Sequence, residues 1–131
     1  MIKHVGLTIT DPAEIKNFYQ DVLGLNLKKE FTLSKELNQQ IFGFYEEVPV
    51  TILSNEESEI EIFVTHIPAR NNYSHLCIEV DDRKALVKKA KAHKYPCIVI
   101  ERKFEPLVFI QDSFGNCFEI KDKKGHKLHS I

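Results

Sequence analysis

Apolar and polar residues alternate through most of this chain, and the alternation predicts short β-strands. In residues 3–12, KHVGLTITDP, the apolar Val5, Leu7 and Ile9 are separated by polar or small residues. A period of two is typical of a strand with one buried face. Further strands are predicted in LNLKKEFTLSK (25–35), IFGFYEE (41–47), VPVTILS (48–54), EIEIFV (59–64), SHLCIEVDD (74–82), CIVIERKF (97–104), LVFIQD (107–112) and CFEIKD (117–122).

Two segments have helical spacing instead. In the first, Asp11 and Pro12 are typical of a helix start, and Gly24 is typical of a helix end. Between them the apolar residues recur on one helical face: Ile15, Phe18, Tyr19, Val22 and Leu23. The second helix is predicted to follow SHLCIEVDD and to run to about residue 93. Its apolar side consists of Leu86, Val87 and Ala90.

The two halves of the chain repeat the same order of elements. A shift of 71 residues places His4 on His75 and Asp11 on Asp82, and it aligns the apolar positions of both first strands. EIEIFV closes the first half as CFEIKD closes the second. Each half is therefore predicted as strand–helix–strand–strand–strand. A unit of this size buries its own sheet poorly, so two units are expected to pair.

The predicted fold class is α+β within a single domain. Two paired βαβββ modules are expected to form a curved, cup-like mixed sheet with the helices outside. Module one spans about residues 1–65, a polar connector about 66–72, and module two about 73–131. If the two sheets curl, their helix-free faces line a common concavity.

Composition and charge exclude several classes of partner. The 131 residues are 43% apolar and 28% charged with a formal net charge of −1, which argues against binding to nucleic acid or an acidic membrane. Three cysteines without a CxxC pair argue against a disulfide framework or a zinc ribbon. The N-terminal apolar run is too short for a signal peptide, and no run reaches the length of a membrane span. A cytoplasmic location is therefore expected.

Four ionisable residues occupy corresponding places in the two halves. His4 and His75 open the halves, and Glu61 and Glu119 lie on the closing strands, each opposite its apolar neighbours. Two imidazoles and two carboxylates that converge in a partly dry cup require compensation. A divalent metal supplies it, and a set of two nitrogens and two oxygens suits Zn, Ni, Co, Mn or Fe better than Mg or Ca.

At these residues the sequence resembles the vicinal oxygen chelate superfamily, which includes glyoxalase I, methylmalonyl-CoA epimerase, extradiol dioxygenases and fosfomycin or bleomycin resistance proteins. The resemblance covers nearly the whole chain. It rests on HVGLTITDPAEIKNFYQDVLGL, on IEIF around Glu61, on SHLCIEVDD, and on FIQDSFGNCFEI. By resemblance, His4, Glu61, His75 and Glu119 fall on the four metal positions of glyoxalase-type members.

The resemblance implies a metal-dependent lyase, isomerase or epimerase that acts on a small oxygenated metabolite. In such members the metal stabilises an enediolate, and a carboxylate, here Glu119 or Glu61, moves a proton between adjacent carbons. Two alternatives remain: a non-catalytic small-molecule binding or drug-resistance protein on the same fold, and an Fe(II) extradiol-type dioxygenase. The family also suggests a homodimer, with the modules paired within one chain or across two chains.

Two positions differ from the glutathione-dependent members. Thr8 stands four residues after His4, where those proteins carry an arginine. Thr65 stands four residues after Glu61, where they carry an asparagine. The sequence therefore argues against a glutathione hemithioacetal as substrate and leaves the substrate open.

Other polar and aromatic residues have simpler interpretations. Glu59 and Lys121 are expected to be solvated, as outward residues of an antiparallel sheet commonly are. Cys77 and Cys117 lie on the strand faces of His75 and Glu119. Their expected role is that of small buried fillers, although they could also line the cup and be reactive near a metal. Core packing is the expected role of three aromatic residues, although they could also wall a pocket: Phe63, Tyr73 and Phe109.

Overall fold

A computed structural model describes residues 2–67 and 73–123 of the chain. The chain consists of two compact units, Met1–Ala69 and Arg70–Ile131, and each is described by itself. Most of the predicted connector and the polar C-terminal tail lie outside the described residues. Among the described residues, no helix is long and apolar enough to cross a membrane.

The first unit is a four-stranded mixed sheet with the strand order β1-β4-β3-β2. Its strands are β1 (His4–Ile9), β2 (Asn26–Leu33), β3 (Val48–Ser54) and β4 (Glu59–Val64). Strands β1 and β4 run parallel, whereas β2, β3 and β4 pair antiparallel in succession. The alternation in β1 is as predicted, because His4, Gly6 and Thr8 are exposed while Ile9 is buried.

The helix after β1 buries its apolar side. It includes a π-helical segment, Ile15–Gln20, and Gly24 ends the helical region in the left-handed conformation with φ +74°. The Asp11 carboxylate accepts a hydrogen bond from the Ala13 N–H at 2.9 Å. The core of this unit contains fully buried residues from the helix and from all but one strand: Ile9, Phe18, Tyr19, Val22, Val50, Leu53 and Ile62.

The prediction of a strand over IFGFYEE is wrong, because the first two residues of this segment, Ile41 and Phe42, end a helix. Helix α1 spans Lys35–Phe42. The Ser34 hydroxyl oxygen accepts from the Leu37 N–H at 3.2 Å, and Gly43 ends the helix at φ +85°. These two end signals outweigh the short alternation in the sequence. The first half is therefore strand–helix–strand–helix–strand–strand.

The second unit repeats the sheet without this additional helix. Its strands are β5 (Leu76–Val80), β6 (Cys97–Ile100), β7 (Leu107–Gln111) and β8 (Cys117–Asp122), in the order β5-β8-β7-β6. Helix α2 spans Arg83–Ala92, and the Asp82 carboxylate caps it by accepting from the Ala85 N–H at 3.0 Å. Strand β6 ends at Ile100, four residues before the predicted end. Two four-stranded mixed sheets with few helices confirm the predicted α+β class.

Candidate metal and ligand site

The four predicted ligands occupy equivalent register positions in the two sheets. In the first unit Glu61 pairs with Gly6, two residues after His4. In the second unit Glu119 pairs with Cys77, two residues after His75. The two histidines are 71 residues apart (75 − 4), but the two glutamates are only 58 apart (119 − 61). The insertion that contains α1 explains this difference, and the strand pairing restores the equivalence.

In the first unit, His4 and Glu61 are in direct contact. The Nε2 atom of His4 lies 2.9 Å from Oε2 of Glu61, with the His4 side chain 51% exposed and the Glu61 side chain 17% exposed. Glu59, on the same face of β4, accepts instead from the Lys28 ammonium. This hydrogen bond lowers the pKa of Glu59 below its ordinary value of 4.5. Glu59 is thus ion-paired rather than merely solvated.

In the second unit, the corresponding pair is His75 and Glu119, with Nε2 3.7 Å from Oε1. The Nδ1 atom of His75 lies 2.9 Å from the carbonyl oxygen of Tyr73. A carbonyl only accepts, so Nδ1 carries the hydrogen and a neutral ring presents a lone pair at Nε2. In the neutral form of the ring, this lone pair and the Glu119 carboxylate are both acceptors, an arrangement that suits a cation between them.

Lys121 is a second partner of Glu119. Its ammonium lies 3.5 Å from Oε2 of Glu119 and 4.0 Å from Oε1 of Glu105. The Lys121 side chain is 44% exposed, in line with the predicted solvated residue, and it also takes part in the ion-pair network of the more buried Glu119 carboxylate. The corresponding position in the first unit, two residues after Glu61, is Phe63. The two halves thus present a similar His–Glu pair beside different third residues.

The donor types suit a divalent transition metal. Two ligands about 2.1 Å from one ion, at angles near 90–110°, are separated by roughly 3.0–3.4 Å. The two observed His–Glu spacings, 2.9 and 3.7 Å, lie on either side of this distance. Within residues 2–67 and 73–123, no cluster of three or more His, Cys, Asp or Glu side chains is found. The union of both pairs in one site stays a prediction.

Tight turns position both glutamates by holding the ends of their strands. The buried Asp112 carboxylate accepts from the Phe114 and Asn116 N–H groups at 2.9 Å and from the Asn116 side chain at 2.8 Å. Gly115 in this turn has φ +88°. Before β4, the Asn55 side-chain oxygen accepts from the Glu57 and Ser58 N–H groups at 2.9 Å. The register of each glutamate therefore rests on a side-chain-stabilised turn.

A cavity of about 530 Å³ adjoins the His4–Glu61 pair. Most of its wall is apolar or aromatic, and it comes from β1, α1, the segment after α1, β3, β4 and the residues after β4. The lining residues are His4, Gly6, Thr8, Asn38, Phe42, Phe44, Glu46, Val48, Glu61, Phe63, Thr65 and Ile67. Its volume is within the range of small-molecule sites.

Sequence reasoning missed the wall that α1 supplies, because it interpreted this region as a strand. Phe42 meets Phe63 edge to face, with ring centroids 5.5 Å apart. Phe42 and Phe44 are 52% and 49% exposed. The sequence did carry a signal for this wall: Ser34 is typical of a helix start, and the aromatic residues Phe42, Phe44 and Tyr45 follow it. Phe63 also packs against the buried Leu33–Val48–Val50 cluster, so it serves both the core and the cavity.

Two sequence-based expectations for the second unit are wrong. Cys77 is exposed rather than a buried filler, and Tyr73 is 98% exposed rather than in the core. Partial desolvation of the sulfur, reinforced by the Glu119 carboxylate, raises the pKa of the Cys77 thiol above its ordinary 9.0. Phe109 lies edge to face against His75, with ring centroids 5.9 Å apart. It therefore packs beside a predicted ligand.

Comparison with known proteins agrees with this architecture. The family model of the Glyoxalase/Bleomycin resistance protein/Dioxygenase superfamily matches residues 1–128. The protein YwbC of Bacillus subtilis (strain 168) is 29% identical over 93 residues, which cover 69% of this chain and 68% of that protein.

Solved structures share the fold at low sequence identity. A glyoxalase family protein from Bacillus cereus has a TM-score of 0.75 at 17% identity and covers 92% of both chains. A glyoxalase family protein from Enterococcus faecalis has a TM-score of 0.69 at 22% identity, covering 92% of this chain and 95% of its own. A variant of the fosfomycin resistance protein FosX from Listeria monocytogenes, complexed with Mn(II) and 1S,2S-dihydroxypropylphosphonic acid, has a TM-score of 0.71 at 13% identity, covering 98% and 97%.

The two mixed sheets and the match along nearly the whole chain define the class of protein. This chain belongs to the Glyoxalase/Bleomycin resistance protein/Dioxygenase superfamily, as the sequence resemblance predicted.

Proposed function

We propose that the chain is a divalent-metal-dependent enzyme of the glyoxalase type: a lyase, isomerase or epimerase that moves a proton between adjacent carbons of a small oxygenated metabolite. His4, Glu61, His75 and Glu119 are its metal ligands in this proposal. The observation that carries it is the equivalent register of the two His–Glu pairs, each with nitrogen and oxygen 2.9–3.7 Å apart. A FosX structure with Mn(II) makes a transition metal the natural expectation for this fold.

Each residue has a distinct role in this proposal. A bound Zn, Ni, Co, Mn or Fe ion would supply Lewis-acid stabilisation of negative charge on substrate oxygens. His4 and His75 present Nε2 as neutral donors, and the Tyr73 carbonyl fixes the tautomer of His75. Glu61 borders the cavity, so it is the better placed carboxylate to take a proton from a substrate carbon and return it to the neighbouring one. Lys121 holds one oxygen of Glu119.

Metal content measured together with solution mass tests this proposal. Chelator-treated protein reconstituted with Ni, Zn, Mn or Fe should bind about one ion per four-ligand site. His75→Ala should lower the occupancy strongly. His93→Ala is the matched control, because His93 also contacts a backbone carbonyl, that of Lys89 at 2.8 Å, but is not a proposed ligand. Wild-type protein that binds no ion after reconstitution with any of the four metals would refute the proposal.

The same measurement addresses the homodimer. If the modules pair across two chains, a dimer carries two sites, and dilution to monomer abolishes metal binding. If they pair within one chain, occupancy per chain is independent of concentration.

The cytoplasmic location stays a prediction from cysteine usage.

A non-catalytic binding or resistance protein is the second candidate. The cavity favours it, because all of its described wall comes from the first unit and is mainly apolar. Such a protein should gain thermal stability from an aromatic ligand even after treatment with a chelator, without turning the ligand over. If stabilisation requires metal and His75→Ala abolishes it, this candidate is excluded.

A further inference from the structure

The cavity of the first unit differs chemically from a site for anions. Its ionisable wall residues are His4, Glu46 and Glu61, and no lysine or arginine is among the wall residues that the structure describes. His4 contacts Glu61, and His66 lies 3.4 Å from Glu46 between Nδ1 and Oε2. Even with both histidines protonated, the two pairs are at best neutral, so a negatively charged ligand meets no excess positive charge.

Three phenylalanine rings dominate the apolar part of the wall, namely Phe42, Phe44 and Phe63. Phe42 and Phe63 meet edge to face, and an aromatic ligand can form further ring pairs of this kind with the exposed rings. About half the surface of Phe42 and of Phe44 is exposed to solvent. A ligand that covers these rings removes that apolar area from water. Val48 adds an aliphatic floor.

The small polar groups of the wall are uncharged. Thr8 and Thr65 both line the cavity. Thr65 Oγ1 lies 3.2 Å from the Ile67 carbonyl oxygen and from the Ile67 N–H, so the chain itself uses its hydrogen-bonding groups. The buried Asn38 donates its side-chain amide to the Glu46 carbonyl oxygen at 2.8 Å. The wall therefore lacks a set of cationic side chains for binding an anion among its described residues. Its selectivity between ligands would come from their shape and charge.

From these observations we infer that the first-unit cavity binds an uncharged small molecule with a flat aromatic body, whose oxygen-bearing end reaches His4 and Glu61. This inference rests on the proposed function, since it names the substrate class of the same site. In that site, the charge of a divalent ion would be offset by the carboxylates of Glu61 and Glu119. The remaining wall carboxylate, that of Glu46, would not favour a bound anion. Phosphonates and carboxylates are thus poor ligands of this cavity.

Two probes with the same ring separate charge from shape. 2-Naphthol is uncharged at neutral pH, and 2-naphthoate carries a carboxylate. Dissociation constants measured on the full chain, by ligand-observed NMR and calorimetry, are compared in chelator-treated and metal-loaded protein. In chelator-treated protein 2-naphthol is expected to bind at least about tenfold more tightly than 2-naphthoate, a difference of about 1.4 kcal/mol. Equal or tighter binding of 2-naphthoate overturns the inference.

Substitutions locate the binding. Phe42→Ala and Phe44→Ala should each weaken 2-naphthol binding about three- to tenfold, the range for one lost aromatic contact. Phe104→Ala is the matched control, because Phe104 is 92% exposed in the second unit and lies outside the cavity. Circular dichroism checks that each variant folds. If Phe44→Ala folds and binds like wild type, or if Phe104→Ala loses as much, the ring site is not this cavity.

The design also separates the two proposals. Metal-binding constants are measured for the same variants and should be unchanged by Phe42→Ala. If wild-type protein binds no metal but discriminates the probes as expected, the metal-dependent function fails and the ligand class stands. If metal binds as expected but the probes are not discriminated, the ligand class fails and the metal site stands.

Discussion

The substitution Glu61→Gln tests the metal site most directly. The introduced glutamine side chain would keep the size and an oxygen acceptor but would remove the negative charge. In the absence of metal, this oxygen still accepts from His4 Nε2, the partner 2.9 Å away in the wild type. Because the His4 side chain is about half exposed, the lost ion pair should reduce the free energy of unfolding by less than about 1 kcal/mol. The variant is therefore expected to fold.

Metal affinity should respond much more strongly than stability. Substitution of residues that only orient a metal ligand commonly costs about 10–100-fold in affinity. The loss of a charged ligand should cost at least as much, that is, at least about 1.4–2.8 kcal/mol. The assay is calorimetric titration of Mn²⁺ or Ni²⁺ into chelator-treated protein, with urea unfolding of the same samples to exclude a folding defect.

Glu59→Gln provides the matched control for this prediction. Glu59 lies two residues from Glu61 on the same strand, but it pairs with Lys28. Its substitution should leave the metal dissociation constant within about twofold, well below the roughly tenfold change that corresponds to about 1.4 kcal/mol. The reasoning is refuted if Glu61→Gln binds metal as wild type does, or if both variants lose affinity equally.

Three further predictions concern named contacts. Lys121→Met removes the ammonium 3.5 Å from Glu119 and should tighten metal binding up to about fivefold, the equivalent of an exposed ion pair of about 1 kcal/mol; weaker binding in calorimetry would contradict this. Asp82→Ala removes the cap of α2 and should lower the free energy of unfolding by about 1 kcal/mol, or Tm by about 3–4 °C. The control is the neighbouring Asp81→Ala, which breaks only a surface pair with Lys123 and should change Tm by less than half as much. Lys28→Met should raise the pKa of Glu59 towards 4.5 in an NMR titration. The stabilisation from this lowered pKa is present above pH 4.5 and is lost as pH falls through the folded-state value, so the stabilities of wild type and Lys28→Met should converge in acid; a pKa unchanged by the substitution would refute the assignment.

The sequence could specify those features that depend on neighbouring residues. Alternation predicted the faces of β1, β4 and β8, and Asp11 and Gly24 marked the ends of the first helical segment, because both signals act over a few residues. The 71-residue repeat pairs His4 with His75 from the sequence alone. The superfamily followed from the same motifs.

Tertiary structure decided what depends on distant contacts. Local alternation in IFGFYEE predicted a strand, but α1 includes its first two residues. Which side chain the end of this helix would contact was not readable locally, because Phe42 meets Phe63, 21 positions away (63 − 42). The sequence matched Glu61 with Glu119 through the two closing strands, and strand pairing shows that both hold the same register despite unequal spacing from their histidines. The cavity beside His4 likewise forms between elements that are distant in the chain, and Lys121 of β8 links its strand neighbour Glu119 to Glu105, which precedes β7. The sequence determines which chemical groups the site contains, whereas folding determines which other groups contact them.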